Sequence, residues 1–466
     1  MNMQKEEIAS TAKTSYEKAQ TRQLSIKEGS LSAVSMSFGS AYITPFALAL
    51  KANNLQIGFL SSFLGLLTPL FQLLGLRYME TTPRKKIIVR AVLLQSLMWL
   101  PIIFLAYLSW KKFIPSLLPW ALLALFAVLS IFGAVAVPAW FSLMGDSVEE
   151  KHRGEYFSRR NRTIGIFALF ATIITAFFLD YFKTRGLLLL GFGIFFFIAG
   201  LLRFSAVPFF KKHYDSGIKA APADYFSFKD FIKKLPKTNF GRFVIFASSM
   251  YFAVMLASPF FTVHMLNELK FSYTTFMLVS LTSTIASLLI LPVWGKISDK
   301  YGNINVLRIT AFLVPFVSLL WIVSPSPYYL AFIPQIISGI AWSGFDLSIN
   351  NYVYDSVSEK HRGICLAYFN ILLGVATFAG AGIGGFLAQY ITIKTNTLAT
   401  IFIISGIARL LVAIAFIPKL KEVRSVPRLA LHNILTFKGI KPAQGLMHEW
   451  HILQEHIKVG KKGLFK

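Results

Sequence analysis

Asp146-Ser147-Val148-Glu149-Glu150-Lys151-His152-Arg153-Gly154 recurs as Asp355-Ser356-Val357-Ser358-Glu359-Lys360-His361-Arg362-Gly363, eight identities in nine positions at an offset of 209 residues. Chance does not produce such a run. Asn161 and Asn370 keep the same offset, and Thr44-Pro45-Phe46 is echoed more weakly by Ser258-Pro259-Phe260. Repetition of this kind marks a duplicated unit, and the material between the copies says what the unit is made of.

Of the 466 residues 55% are hydrophobic and only 15% are charged, too apolar a balance for a water-soluble chain. A membrane-crossing helix takes about 20 apolar residues. Apolar runs bounded by charged, Gly, Pro or Asn turns predict spans over 29–50, 57–77, 87–109, 116–143, 163–182 and 186–209. Six more are predicted over 241–266, 272–297, 304–324, 329–354, 364–391 and 397–418. The fold class is thus an all-α polytopic membrane protein with twelve transmembrane helices in two pseudo-symmetric six-helix bundles. Its expected parts are a cytoplasmic N-terminal segment (1–28), a first bundle (29–209), a cytoplasmic linker (210–240), a second bundle (241–418) and a basic cytoplasmic tail (419–466). No cleavable signal peptide is evident, so the first span is expected to stay as an anchor.

The net charge of +26 would suit a nucleic-acid binder if the chain were soluble. The charges instead lie between the apolar runs, so the bilayer, not nucleic acid, is the expected partner. Positive residues are held on the cytoplasmic face during insertion. All but seven of the 47 Lys and Arg fall on the side of the N-terminus, the exceptions being Lys51, Lys111, Lys112, Lys183, Arg185, Lys270 and Lys394. Both termini are therefore expected in the cytoplasm, in a cell (inner or plasma) membrane. The single cysteine, Cys365, excludes a disulfide framework and any paired-cysteine metal or redox site. The histidines have no metal-ligand spacing, and no phosphate-binding loop, nucleophile elbow or dinucleotide fingerprint occurs, so neither enzyme activity, metal nor cofactor is expected.

A second signature, Gly295-Lys296-Ile297-Ser298-Asp299-Lys300-Tyr301-Gly302, lies on the turn between the second and third spans of the second half. Here the chain resembles the major facilitator superfamily, whose turn at this place reads approximately Gly-x-x-x-Asp-(Arg/Lys)-x-Gly. The resemblance covers nearly the whole chain: six plus six spans, both ends inside, and an Arg-Gly turn after the fourth and tenth spans. It implies secondary transport of a small molecule by alternating access, a monomer, and a conformational latch in which Asp299, with Gly295, Lys300 and Gly302, sits near the start of the fifth span around Asn161 to Thr163. Glu80 is the counterpart in a degraded first-half turn, against the start of the eleventh span near Gly363, and otherwise that turn is only a topology signal. The repeated turns, with Asp146, Arg153, Gly154, Asp355, Arg362 and Gly363, belong to the same latch.

In this family the first and fourth spans of each half line the cavity. On the first span Ser32, Ser35, Gly39 and Tyr42 form one helical stripe, and Tyr251, Ser258 and Thr262 do so on the seventh. Such hydroxyls either face substrate or bond backbone and neighbouring helices. The tenth span offers Gln335, Trp342, Asp346 and Asn350. A carboxyl at that depth is costly when ionised, which makes Asp346 a candidate for carrying protons or pairing with a cation; a structural hydrogen bond is the alternative. Val137 occupies the matching place in the first half. Arg203 and Arg409 are expected to snorkel toward the cytoplasmic surface, and the glycines of the eleventh span to serve packing. The competing function is a non-transporting membrane scaffold or assembly factor acting through the basic tail.

Overall fold

The computed structural model describes residues 2–149, 152–215, 227–357, 359–391 and 397–427; of residues 2–13, 154, 359, 360 and 362 it describes the backbone. Part of the linker and most of the basic tail lie outside the described residues, as does the side chain of Arg362. Among the described residues twelve helices are long and apolar enough to cross a membrane. They are α1 (Thr14–Ala49), α2 (Asn54–Thr81), α3 (Arg84–Trp110), α4 (Leu118–Ser147), α5 (Glu155–Thr184), α6 (Leu188–Lys211), α7 (Asn239–Glu268), α8 (Tyr273–Tyr301), α9 (Asn303–Leu320), α10 (Pro327–Ser356), α11 (Gly363–Tyr390) and α12 (Thr397–Lys419). Several overrun their apolar runs on the side of the repeated turns. Helical hydrogen bonding does not stop where the hydrocarbon does, so α1 begins well before Gly29 and α5 well before Thr163.

In each half the helix ends at the second-to-third and fourth-to-fifth connections form its turn side, and the opposite ends its far side. Local chemistry sets the helix ends. At the far-side start of α2, Asn53 accepts the Gln56 N–H and the Gln56 side chain accepts the Asn53 N–H, both at 2.9 Å, a reciprocal cap. Phe167, Phe170, Ile174, Phe177 and Tyr181 recur at helical spacing on α5 and stand exposed. An apolar stripe left uncovered by protein is covered by lipid.

By contact density the chain falls into two compact units. The first joins everything up to Lys234 with Ala247–Val279 and Gly363–Ser405. Its core includes Phe46, Phe192 and Phe196, fully buried, with ring centroids 5.0–5.9 Å apart. α11 runs here between α2 and the middle of α7. A Cβ on Gly384 would stand 2.3 Å from the Leu256 carbonyl oxygen and one on Gly380 2.4 Å from that of Phe252, while one on Gly58 of α2 would stand 2.6 Å from the Ala381 carbonyl oxygen and 2.7 Å from Gly385 Cα. Helices in lipid gain nothing from hydrophobic association, so close backbone approach through small residues does that work. Packing is what the structure shows for the α11 glycines. Far-side bonds finish the seam: Asn54 Nδ2–H donates to the Ala388 carbonyl at 3.1 Å and Ser62 Oγ–H to that of Phe378 at 2.8 Å.

The second unit holds Leu235–Phe246, Ser280–Arg362 and the chain from Gly406. Trp294 anchors it by donating its indole N–H to the Ile340 carbonyl at 2.9 Å, and Phe243 packs on Tyr352 with centroids 4.4 Å apart. Overpacking a tight helix contact costs about 1–3 kcal/mol. Gly384→Leu should therefore lower the thermal midpoint of the purified protein by several degrees. Gly165→Ala, where a Cβ would meet nothing within 4 Å, should leave it unchanged or slightly raised; equal effects would contradict the packing account.

Candidate functional site

The repeated turn is built into an ion cluster in each half. In the first, Asp146 at the end of α4 pairs with Nη2 of Arg84, the first residue of α3, at 2.8 Å. The same Nη2 lies 2.8 Å from Asp215, in the segment that follows α6, and Arg84 Nη1–H also donates to Ser142 Oγ at 2.9 Å. The Arg84 side chain is only 5% exposed. In the second half Asp355 accepts from Nδ2–H of Asn303, the first residue of α9, at 2.8 Å and pairs with Nε of Arg424 at 3.2 Å. Arg424 follows α12, and its Nη2–H donates to the Ser298 carbonyl at 2.6 Å. Beside it Glu422 accepts the Ile304 N–H at 2.9 Å and lies against Gly302, whose φ of +90° admits glycine readily.

Asp146 and Asp355 differ by 209 positions, and so do Asp215 and Arg424. The two clusters are therefore one device with its charges redistributed. The first half puts a cation on the opening helix between two acids; the second puts an amide there and the cation on the trailing segment. Arg153 serves differently: its guanidinium donates to the Gly145 carbonyl at 3.0 Å and the Val148 carbonyl at 3.3 Å, closing the C-terminal end of α4. Asp146, Arg153 and Asp355 thus brace their own halves. Gly363 adjoins open space, as does Gly295, and Lys300 lies over the Tyr301 ring at 5.1 Å. Asp299 and Glu80 are exposed, with no hydrogen bond or ion pair among the described residues.

A buried polar set inside the first half has no counterpart in the sequence reading. Glu28 is 2% exposed and accepts from Trp140 Nε1–H at 3.1 Å and from Arg160 Nη2–H at 3.3 Å. Arg160 also donates to Ser25 Oγ at 2.9 Å and stacks over the Trp140 ring at 4.5 Å. One turn further along α1, Ser32 accepts from Arg203 Nη1–H at 2.5 Å, and Arg203 Nε–H donates to Gln95 Oε1 at 2.7 Å. Arg203 is therefore held inside the bundle and does not snorkel. Nor does Arg409, 1% exposed, whose Nη1–H donates to the Val314 carbonyl at 3.2 Å. The sequence signal for Glu28 is its place in the stripe Ser25, Glu28, Ser32, which hydropathy hides because the apolar run starts one residue later.

The first-span stripe is a packing face. Ser35 Oγ–H donates to the Ala199 carbonyl and Tyr42 Oη–H to that of Thr172, both at 2.7 Å, and Tyr42 is fully buried. Gly39 is glycine because a Cβ would fall 2.3 Å from the Trp99 ring. Ser35 and Tyr42 therefore tie α1 to α6 and α5. Tyr251 and Ser258 on α7 stay half-buried, as do Gln335 and Trp342 on α10. Asp346 and Asn350 are exposed one turn apart, the Asn350 amide donating to the Asp346 carbonyl at 2.9 Å. Beyond the spans, His213 is buried against the Phe210 ring, 5.5 Å between centroids. Burial, then the charges of Lys85 and Arg160, push its pKa down to about 4, so it stays neutral near pH 7.

Removing one partner of a buried ion pair strands the other, at about 3 kcal/mol. Arg84→Ala should cost about that much in thermal unfolding of the purified protein. The double change Arg84→Asn with Asp215→Arg, which copies the second half's pattern, should restore most of it. A double variant no more stable than Arg84→Ala would contradict the equivalence of the two clusters.

The family model described as Major Facilitator Superfamily matches residues 29–256 and 243–444. The multi-drug resistance efflux pump PmrA of Streptococcus pneumoniae is 28% identical over 141 residues, 30% of this chain and 33% of that protein. A probable peptide/nitrate transporter of Arabidopsis thaliana is 30% identical over 96 residues, 21% of this chain and 19% of that one. The alignments thus span a third or less of these relatives. Among solved structures, the nucleoside transporter NupG superposes with a TM-score of 0.61 at 17% identity, covering 87% of this chain and 99% of its own. A bacterial homologue of the iron transporter ferroportin, in an inward-facing state, gives 0.61 and 17%, covering 87% and 98%. At such identities these likenesses speak for the fold alone. Twelve apolar helices, duplicated turns and a family match that runs across both halves make this multi-pass membrane chain a member of the major facilitator superfamily.

Proposed function

We propose that the protein is a secondary transporter that moves a small organic solute by alternating access, with both termini in the cytoplasm of a cell membrane. In this reading the halves over 29–209 and 241–418 rock against one another and expose a central site to each side in turn. The observation that carries it is the far-side seam. Helices of the first half, α2 and α5, meet helices of the second, α8 and α11, through glycines and single polar bonds, a contact that can part and re-form. The turn-side acids Asp299 and Glu80 meanwhile have no partner among the described residues, as a latch belonging to the opposite state would require.

The relatives' names point to different cargoes, so they select no substrate. The α10 face is the best candidate for one: Trp342, Asp346 and Asn350 recur every fourth residue, offering an aromatic plane, a carboxylate and an amide to a neutral or cationic organic solute. Asp346 then carries the coupling proton. In liposomes with an imposed pH gradient, Asp346→Asn should reduce gradient-driven accumulation of an identified substrate about ten-fold or more while leaving substrate exchange near its original rate, because only the proton step is lost. Undiminished accumulation would exclude Asp346 as the coupling group.

A further inference from the structure

The far-side start of α8 is completed by a residue of the other half. A helix leaves its first backbone N–H groups without intrahelical partners. On α8 the Thr275 N–H is taken by Ser272 Oγ at 3.0 Å, a local cap. The Tyr273 and Thr274 N–H groups instead donate to the two carboxylate oxygens of Asp180, near the far end of α5, at 2.7 and 2.8 Å. The first turn of α8 carries no acid of its own, so Asp180 also supplies the negative charge that a helix N-terminus favours. Lys183, one turn on from Asp180, lies 5.4 Å from the centroid of the Tyr273 ring, and Phe192 meets the same ring edge-on at 6.0 Å. Three residues of the first half therefore converge on one tyrosine of the second.

We propose that Asp180 is a far-side latch: its carboxylate holds α5 to α8 when the far side is shut and releases two backbone N–H groups to water when it opens. The inference rests on the alternating-access reading. It assigns Asp180 a positioning role, setting the balance between states without touching cargo. Its chemistry matches the use. The glycines hold the α2–α11 edge by packing and Ser62 by one neutral hydrogen bond, whereas Asp180 holds the α5–α8 edge by charge, and water can replace both of its hydrogen bonds once the edge parts. A fixed structural cap would instead never open.

The test reports opening directly. The single cysteine is replaced (Cys365→Ser), and Ser62→Cys is introduced as a reporter, since Ser62 is fully buried in the seam. A membrane-impermeant maleimide is applied to the face that carries the 50–54 and 268–273 loops, and labelling rates are compared. Asp180→Ala should raise the rate about ten-fold, the population shift expected from losing a charge-assisted hydrogen bond. Asp180→Asn, which keeps one acceptor oxygen, should fall between and serves alone if the alanine variant fails to fold. A rate unchanged by either substitution, while Gly58→Leu raises it, overturns the latch and leaves alternating access standing. If none of the three raises it, the seam does not open and both fall.

Discussion

Inside a bilayer there is no water to satisfy a polar group and no hydrophobic gain from bringing two helices together. Close backbone approach and hydrogen bonds to carbonyls that already serve their own helices therefore carry much of what holds these helices. The structure repeats the second device across helix after helix. Ser35 donates to Ala199, Ser37 to Ala168, Tyr42 to Thr172, Ser62 to Phe378 and Ser405 to Ala253, each from one helix to the backbone of another. Such bonds are weak singly. Their worth lies in fixing the rotation of each helix about its axis, which decides the faces left over for a substrate.

The same constraint explains the duplicated turns. Where the helices leave the bilayer, each half must tie its second-to-third connection to the end of its fourth helix, and the conserved geometry is an aspartate on that fourth helix facing the first residue of the third. The copies diverged in how they meet the aspartate's charge. Arg84 sits between Asp146 and Asp215, whereas Asp355 is met by Asn303 and by Arg424 from the trailing segment. A buried ion pair is weak support for stability but strict about its partners. Change at one member of the cluster is thus tolerated when a residue after the sixth or twelfth helix changes with it.

The twelve helices and their division into two sets of six were legible in the sequence, because lipid imposes a long apolar period and duplication leaves matching runs. The sites were legible only in part. Hydropathy averages a helix over all its faces, so it cannot tell that the Ser35 to Tyr42 stripe is buried while Asp346 and Asn350 are exposed. It also places a charge by its distance from the apolar run. Glu28 was therefore left in the N-terminal segment and Arg203 and Arg409 at the surface, although arginine paired through hydroxyl, amide and carbonyl groups sits readily inside protein. Asp180 carries no sequence signal of this role, because its partners are backbone N–H groups 93 and 94 residues away, which carry no side-chain signature.

Alternating access in this chain requires the far-side edge between the halves to be made and broken. The most direct measurement is the distance across it, read by pulsed electron resonance between spin labels at Arg185→Cys and Lys270→Cys, both exposed, in the Cys365→Ser background in liposomes. Two populations are predicted, a short one matching this structure and a longer one whose share changes with pH or with a bound solute. A single short distance under every condition would contradict alternating access for this chain.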